Sequence, residues 1–182
     1  MPRLAERFRP LNLILAILLL VVTAGGFFWR SHQINARKPA SSRPDEQSTY
    51  IFDYARLLSN AEPELNRAIV HLKDTYDIEP IVVTVTTIPD ELTLPELARR
   101  LIEDWQIGAN PDGRGILILA ASDVRRVHLA VGPGLFETFT DSFRRQIQDW
   151  PWQNYFEDGS VPGGLRRALA QIEARARQVT GP

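Results

Sequence analysis

The chain contains no cysteine among its 182 residues. That excludes disulfides, thiol nucleophiles and cysteine-based metal sites together. It has three histidines, His32, His71 and His128, and none stands at metal-ligand spacing from another. No serine lies in a nucleophile-elbow pattern. Gly132-Pro133-Gly134 resembles half of a phosphate loop but lacks the third glycine and the lysine of a nucleotide site, so a plain turn is expected and no nucleotide partner. There is no internal repeat. Acidic residues are scarce in the first part of the chain and in excess in the rest. Residues 1–44 hold seven Lys/Arg and one acid, a net +6, whereas residues 45–182 hold fourteen Lys/Arg and twenty-one Asp/Glu, a net −7. An acidic domain repels phosphate backbones, which argues against nucleic acid as a partner.

One long hydrophobic run is present. Residues 11–29 carry no charge, and Asn12 and Thr23 are the only polar members. At about 1.5 Å per residue a helix here spans roughly 28 Å, close to the hydrocarbon thickness of a bilayer. The expected division is a basic tail (1–10), a transmembrane signal anchor (11–29) inserted in the lipid bilayer, a flexible linker (30–48) and a folded domain (49–182). A cleaved signal peptide ending at Val22-Thr23-Ala24 is the competing reading. Arg3, Arg7 and Arg9 precede the run while Arg30, Arg37, Lys38 and Arg43 follow it, so basic residues alone do not orient it. A short leading tail and a long following domain fit a single-pass protein with a cytoplasmic N-terminus and an extracytoplasmic domain. The linker, rich in serine and proline, would hold the domain on the order of 25 Å from the membrane.

The remaining residues suffice for one domain. Apolar spacing predicts helices over Asn60–Tyr76, Leu94–Gln106, Asp141 to before Pro151, and Pro162–Val179. Ser59/Glu62 and Thr93/Glu96 have capping-box spacing, and Gly108 is placed to end the second helix. Ile81–Thr87 and Gly115–Ala120 read as strands buried on both faces, with Tyr50–Phe52 as a short addition. Arg126–Val131 alternates and is expected near a sheet edge, joined to its predecessor as an antiparallel hairpin. The order implies an α/β fold, a three-layer α/β/α sandwich around a mixed sheet of about four strands. In the last helix Arg166, Arg167, Arg175 and Arg177 are expected to face water.

Several pieces together resemble the TPM domain family: Phe52-Asp53-Tyr54-Ala55 with Leu58-Ser59, Trp105-x-Ile107-Gly108, Gly115-Ile-Leu-Ile-Leu119, Asp123-x-Arg125-Arg126, Val131-Gly132-Pro-Gly134-Leu135, and Thr140-Asp141. The resemblance implies an α/β/α sandwich, membrane attachment and extracytoplasmic exposure. It also implies, for some members, acid phosphatase activity or calcium at a carboxylate cluster. Carried over by position, the cluster is Asp53, Asp112, Glu137 and Asp141, although Asp112 and Glu137 each stand one residue from the family position. Calcium needs about six oxygens, and these four side chains would supply part of them. The competing reading has Asp53 tying its own loop, Asp112 shaping a turn and Asp141 capping a helix. A phosphatase would need the metal or a cationic clamp, for which Arg125 and Arg126 are candidates. Trp150, Trp152, Tyr155 and Phe156 crowd into seven residues; they serve as an interaction surface, as core, or as both with one Trp inside and one on the rim. The leading expectation is a membrane-tethered binding or assembly module with a membrane-protein partner; the alternative is a calcium-dependent phosphatase.

Overall fold

The computed structural model describes residues 50–109 and 112–180. The expected basic tail, membrane anchor and linker lie outside the described residues, and no described helix is long and apolar enough to cross a membrane. The elements run β1 (Ile51–Asp53), α1 (Glu62–Tyr76), β2 (Glu79–Val85), α2 (Leu94–Asp104), β3 (Gly115–Ala121), β4 (Arg126–Val131), α3 (Asp141–Gln148), α4 (Trp152–Glu157) and α5 (Val161–Thr180). Single 3₁₀ turns at Ser59–Ala61 and Pro133–Leu135 lead into α1 and follow β4.

The four strands form one mixed sheet in the order β1-β2-β3-β4. β1, β2 and β3 are parallel, and β4 pairs antiparallel to β3. β3 is buried at every position, as an apolar central strand must be. β4 alternates as expected at an edge: Val127, Leu129 and Val131 are buried and Arg126 is exposed. The edge is closed by α3, where the Gln148 side-chain oxygen accepts the outward Leu129 N–H at 2.9 Å. A strand edge left bare would invite pairing with another chain.

Two cores sit on the two sheet faces. On one, Leu65, Ile69 and Leu72 of α1 meet Val82, Ile116 and Ile118, together with Leu165, Leu169 and Ile172 of α5. On the other, Leu94, Leu97, Ala98 and Leu101 of α2 cover Ile81, Val83, Leu117 and Leu119. The three-layer arrangement follows. It carries an uncommon connection. Both parallel crossovers, β1-α1-β2 and β2-α2-β3, advance one strand the same way, yet α1 and α2 lie on opposite faces. The two crossovers therefore have opposite hands, and one is left-handed, against the right-handed rule obeyed in about 98% of cases.

Local chemistry decides the helix ends. Thr93 caps α2 with the full reciprocal capping box, its backbone N–H donating to Glu96 at 2.7 Å. The expected box at Ser59 does not form: Ser59 has φ of 48° in the 3₁₀ turn, and Ala61 occupies the N-cap of α1. An N-cap side chain reaches the first helical N–H groups only from extended backbone. α1 ends at Asp77, which is left-handed with φ of 52°. Arg114 then donates from Nε to Asp77 O at 2.9 Å and from Nη2 to Tyr76 O at 2.8 Å, placing a cation at the negative helix end. α2 stops at Asp104, earlier than expected, with Gln106 already left-handed at φ of 51°. Gly108 serves close approach instead: a Cβ there would lie 2.1 Å from Gly115 N. α4 was not legible as a helix in the sequence.

Candidate functional site

The four candidate metal ligands are all among the described residues, and the fold does not gather them. Asp53 stands at the carboxyl end of β1, paired with Thr84, which pairs with Ala120. Asp112 precedes Gly115, at the opposite end of β3. Five residues of strand separate these levels, roughly 17 Å at about 3.3 Å per residue. Glu137 and Asp141 follow the turn after β4, which packs against the Asp112 loop. Among the described residues no three His, Asp or Glu side chains are grouped so as to hold a metal ion.

Two of the four carboxylates, Asp53 and Asp141, have local partners. Asp53 accepts from Leu57 N and Leu58 N, both at 2.9 Å, and from the Thr84 hydroxyl. Thr84 is itself fully buried and accepts from Ala55 N at 3.0 Å. This knot fixes the loop that carries Arg56 and Ser59, both with positive φ. Asp141 accepts from Arg144 one turn on, and the helix cap at that point is Thr140 rather than Asp141. Asp112 and Glu137 are exposed. Asp53 therefore shares no common site with the other three carboxylates, and no chemistry through a metal ion is derived.

The glycine N–H groups of the turn after β4 are engaged by backbone carbonyls. Gly132 N donates to Gly115 O at 2.8 Å and Gly134 N to Gly113 O at 3.1 Å. A Cβ on Gly134 would fall 1.7 Å from Asp112 O, so the glycines are there to let two loops touch.

The aromatic segment builds a different feature. Trp152 opens α4, is 2% exposed and donates from its indole N–H to Ile147 O at 2.8 Å. Space for it comes from α5: a Cβ on Gly164 would approach Trp152 to 2.4 Å. Trp150 remains half-buried, 5.9 Å from the Trp152 ring and beneath the Arg167 guanidinium at 4.4 Å. Tyr155 is half-buried against Trp152 at 5.4 Å. One Trp is thus inside and the other on a rim.

That rim bounds a cleft of about 570 Å³ between the β3–β4 hairpin and the α3–α4 corner, with Arg126, Gln148, Asp149 and Trp150 among its lining residues. Its hairpin wall is braced. Asp123 accepts from Ile88 N at 2.9 Å and Val124 N at 2.7 Å, and Arg125 pairs with Glu157 of α4 at 2.5 Å. Trp150 and the Arg125–Arg126 pair stand apart in the sequence and meet only in the fold. Nothing in the spacing signals that α3 turns back beside the hairpin.

A family model described as the TPM domain matches residues 51–175. The chain belongs to the TPM domain family. The fold agrees with solved relatives. The N-terminal domain of a P. gingivalis protein is 25% identical and superposes with a TM-score of 0.65, covering 72% of this chain and 84% of that one. BA42 from the psychrophilic bacterium Bizionia argentinensis is 15% identical with a TM-score of 0.57, covering 75% and 86%. The N-terminal domain of cg2496 from Corynebacterium glutamicum is 17% identical with a TM-score of 0.53, covering 75% and 83%. The last two show likeness of fold alone. No curated protein matches this TPM-domain chain.

Proposed function

We propose that the protein is a membrane-tethered, extracytoplasmic binding module that assists the assembly or turnover of membrane protein complexes, and that the cleft beside Trp150 is its partner site. The observation that carries this reading is the cleft itself: a polar concavity with a half-buried tryptophan at its wall, braced by Asp123 and the Arg125–Glu157 pair. Aromatic and arginine side chains at a partly desolvated rim are the residue types that dominate protein–protein contacts. The uncharged run at residues 11–29 supports the tether. Confinement near the bilayer raises the effective concentration of the domain for membrane proteins without any new contact.

A photo-crosslinking residue placed at Val124, 44% exposed on the cleft rim, tests the site in native membranes. The same residue at Gln171, exposed on α5, is the control. A membrane-protein adduct at position 124 and none at 171 is expected. No adduct at 124, or equal adducts at both, overturns the reading. An alkaline-phosphatase fusion at the C-terminus is expected to be active, reporting an extracytoplasmic domain.

A further inference from the structure

We infer that the cleft between the β3–β4 hairpin and the α3–α4 corner takes an extended peptide segment bearing a glutamate or aspartate, whose carboxylate pairs with Arg126. The inference rests on the reading of this cleft as a partner site and names what the partner presents there.

The charges around the cleft decide the chemistry. Three acids stand near it, and two are already occupied. Both carboxylate oxygens of Asp123 accept backbone N–H groups. Glu157 receives Arg125 at 2.5 Å and Gln153 at 3.1 Å. Arg167 lies over the Trp150 ring. Arg126 is different: it is exposed, lines the cleft, and has no carboxylate within ion-pair distance among the described residues. A guanidinium offers a planar fork that matches a carboxylate in two parallel hydrogen bonds.

The other lining groups favour a peptide over a bare anion. Asp149 is exposed on the α3–α4 wall, where its oxygens are placed to accept a main-chain amide N–H, a donor that a bare anion lacks. The Gln148 side-chain oxygen is taken by Leu129 N, which leaves its NH₂ to donate to a peptide carbonyl. The uncovered part of the Trp150 indole and the exposed Val124 on the hairpin supply apolar contact. An acidic peptide offers a carboxylate, amide N–H groups, carbonyls and apolar side chains together, matching all of these.

The test uses the full chain, purified in detergent, on an array of short blocked peptides. One position is fixed as glutamate, glutamine, alanine or lysine and the others are mixed. Glutamate is expected to be preferred over glutamine by about two- to fivefold, the value of an exposed ion pair. Arg126→Gln should abolish that preference. Arg100→Gln, an exposed arginine on α2, should leave it intact. Absence of a glutamate preference, or its survival in Arg126→Gln, overturns the inference. So does displacement of the bound peptides by millimolar inorganic phosphate, which would assign the guanidinium to a phosphate ligand. The outcome is separable from the broader reading: adducts at position 124 without a glutamate preference would sink the peptide chemistry and keep the partner site.

Discussion

Trp152 and Gly164 are a matched pair, twelve residues apart in sequence and in contact in space. An indole that is 2% exposed contributes stability only if the facing helix yields room for it, and α5 does so by having no side chain at 164. Gly164→Ala is therefore expected to destabilise the domain, although alanine favours helix by up to about 1 kcal/mol over glycine. Overpacking costs about 1–3 kcal/mol and should win, seen as a lower midpoint of urea denaturation. A raised midpoint would mean that Trp152 relaxes freely. His128 gives a second prediction at this scale. Burial, and after it the charge of Arg144, lowers its pKa below the usual 6.5. The unfolded chain then takes up the proton first as pH falls. Stability from this group is fully present above about 6.5 and is lost as pH falls through that value toward the lowered folded one. Melting temperature should fall from pH 7 to pH 5.5, and His128→Gln should flatten that part of the profile. Of these features, the crowded aromatics were visible in the sequence. The role of Gly164 was not, because a glycine inside a helical pattern says nothing of which side chain needs the space.

Secondary structure was legible wherever one local rule governed it. The alternation of Arg126–Val131 fixed both its edge position and the face of each residue. The unbroken apolar run of β3 marked a central strand. Legibility failed where two local patterns competed for one segment. Ser59 and Glu62 have the same spacing as Thr93 and Glu96, but the knot around Asp53 takes up the Leu57 and Leu58 N–H groups and carries the chain into a left-handed residue at 59. No extended residue remains there to cap α1. The contrast is measurable. Thr93→Ala should cost about 1 kcal/mol, the usual worth of an N-cap. Ser59→Ala should change stability by much less, since its hydroxyl caps nothing. Equal losses in thermal denaturation would show that the Ser59 turn rearranges in solution. Arg175 shows the limit of helical periodicity in the same way. Its spacing points it to water, yet it is half-buried and its Nε donates to Thr138 O at 2.8 Å, tying α5 to the turn before α3.

At the scale of the whole molecule, topology decides what sequence position alone left open. Asp53, Asp112, Glu137 and Asp141 form an attractive ligand set when read along the chain. In a run of parallel strands the end of one strand and the start of another are separated by the strand length, and that rule puts Asp53, at the end of β1, and Asp112, before β3, at opposite ends of the sheet. The same topology brings the hairpin and the α3–α4 corner together, which no spacing foretold. The consequence for metal binding can be checked on the intact chain. A ligand that binds the folded state stabilises it by RT ln(1 + [L]/Kd), so a calcium site of even millimolar affinity would raise the melting temperature steadily as calcium increases. With Asp53 engaged by three donors and no three acids grouped among the described residues, calcium is expected to leave the melting temperature where magnesium leaves it. A rise of several degrees specific to calcium, abolished by Asp112→Asn and Glu137→Gln but not by Asp53→Asn, would show that the loops at the Gly115 end close around an ion. That outcome would return the carboxylates, in place of the Trp150 cleft, to the centre of the protein's chemistry.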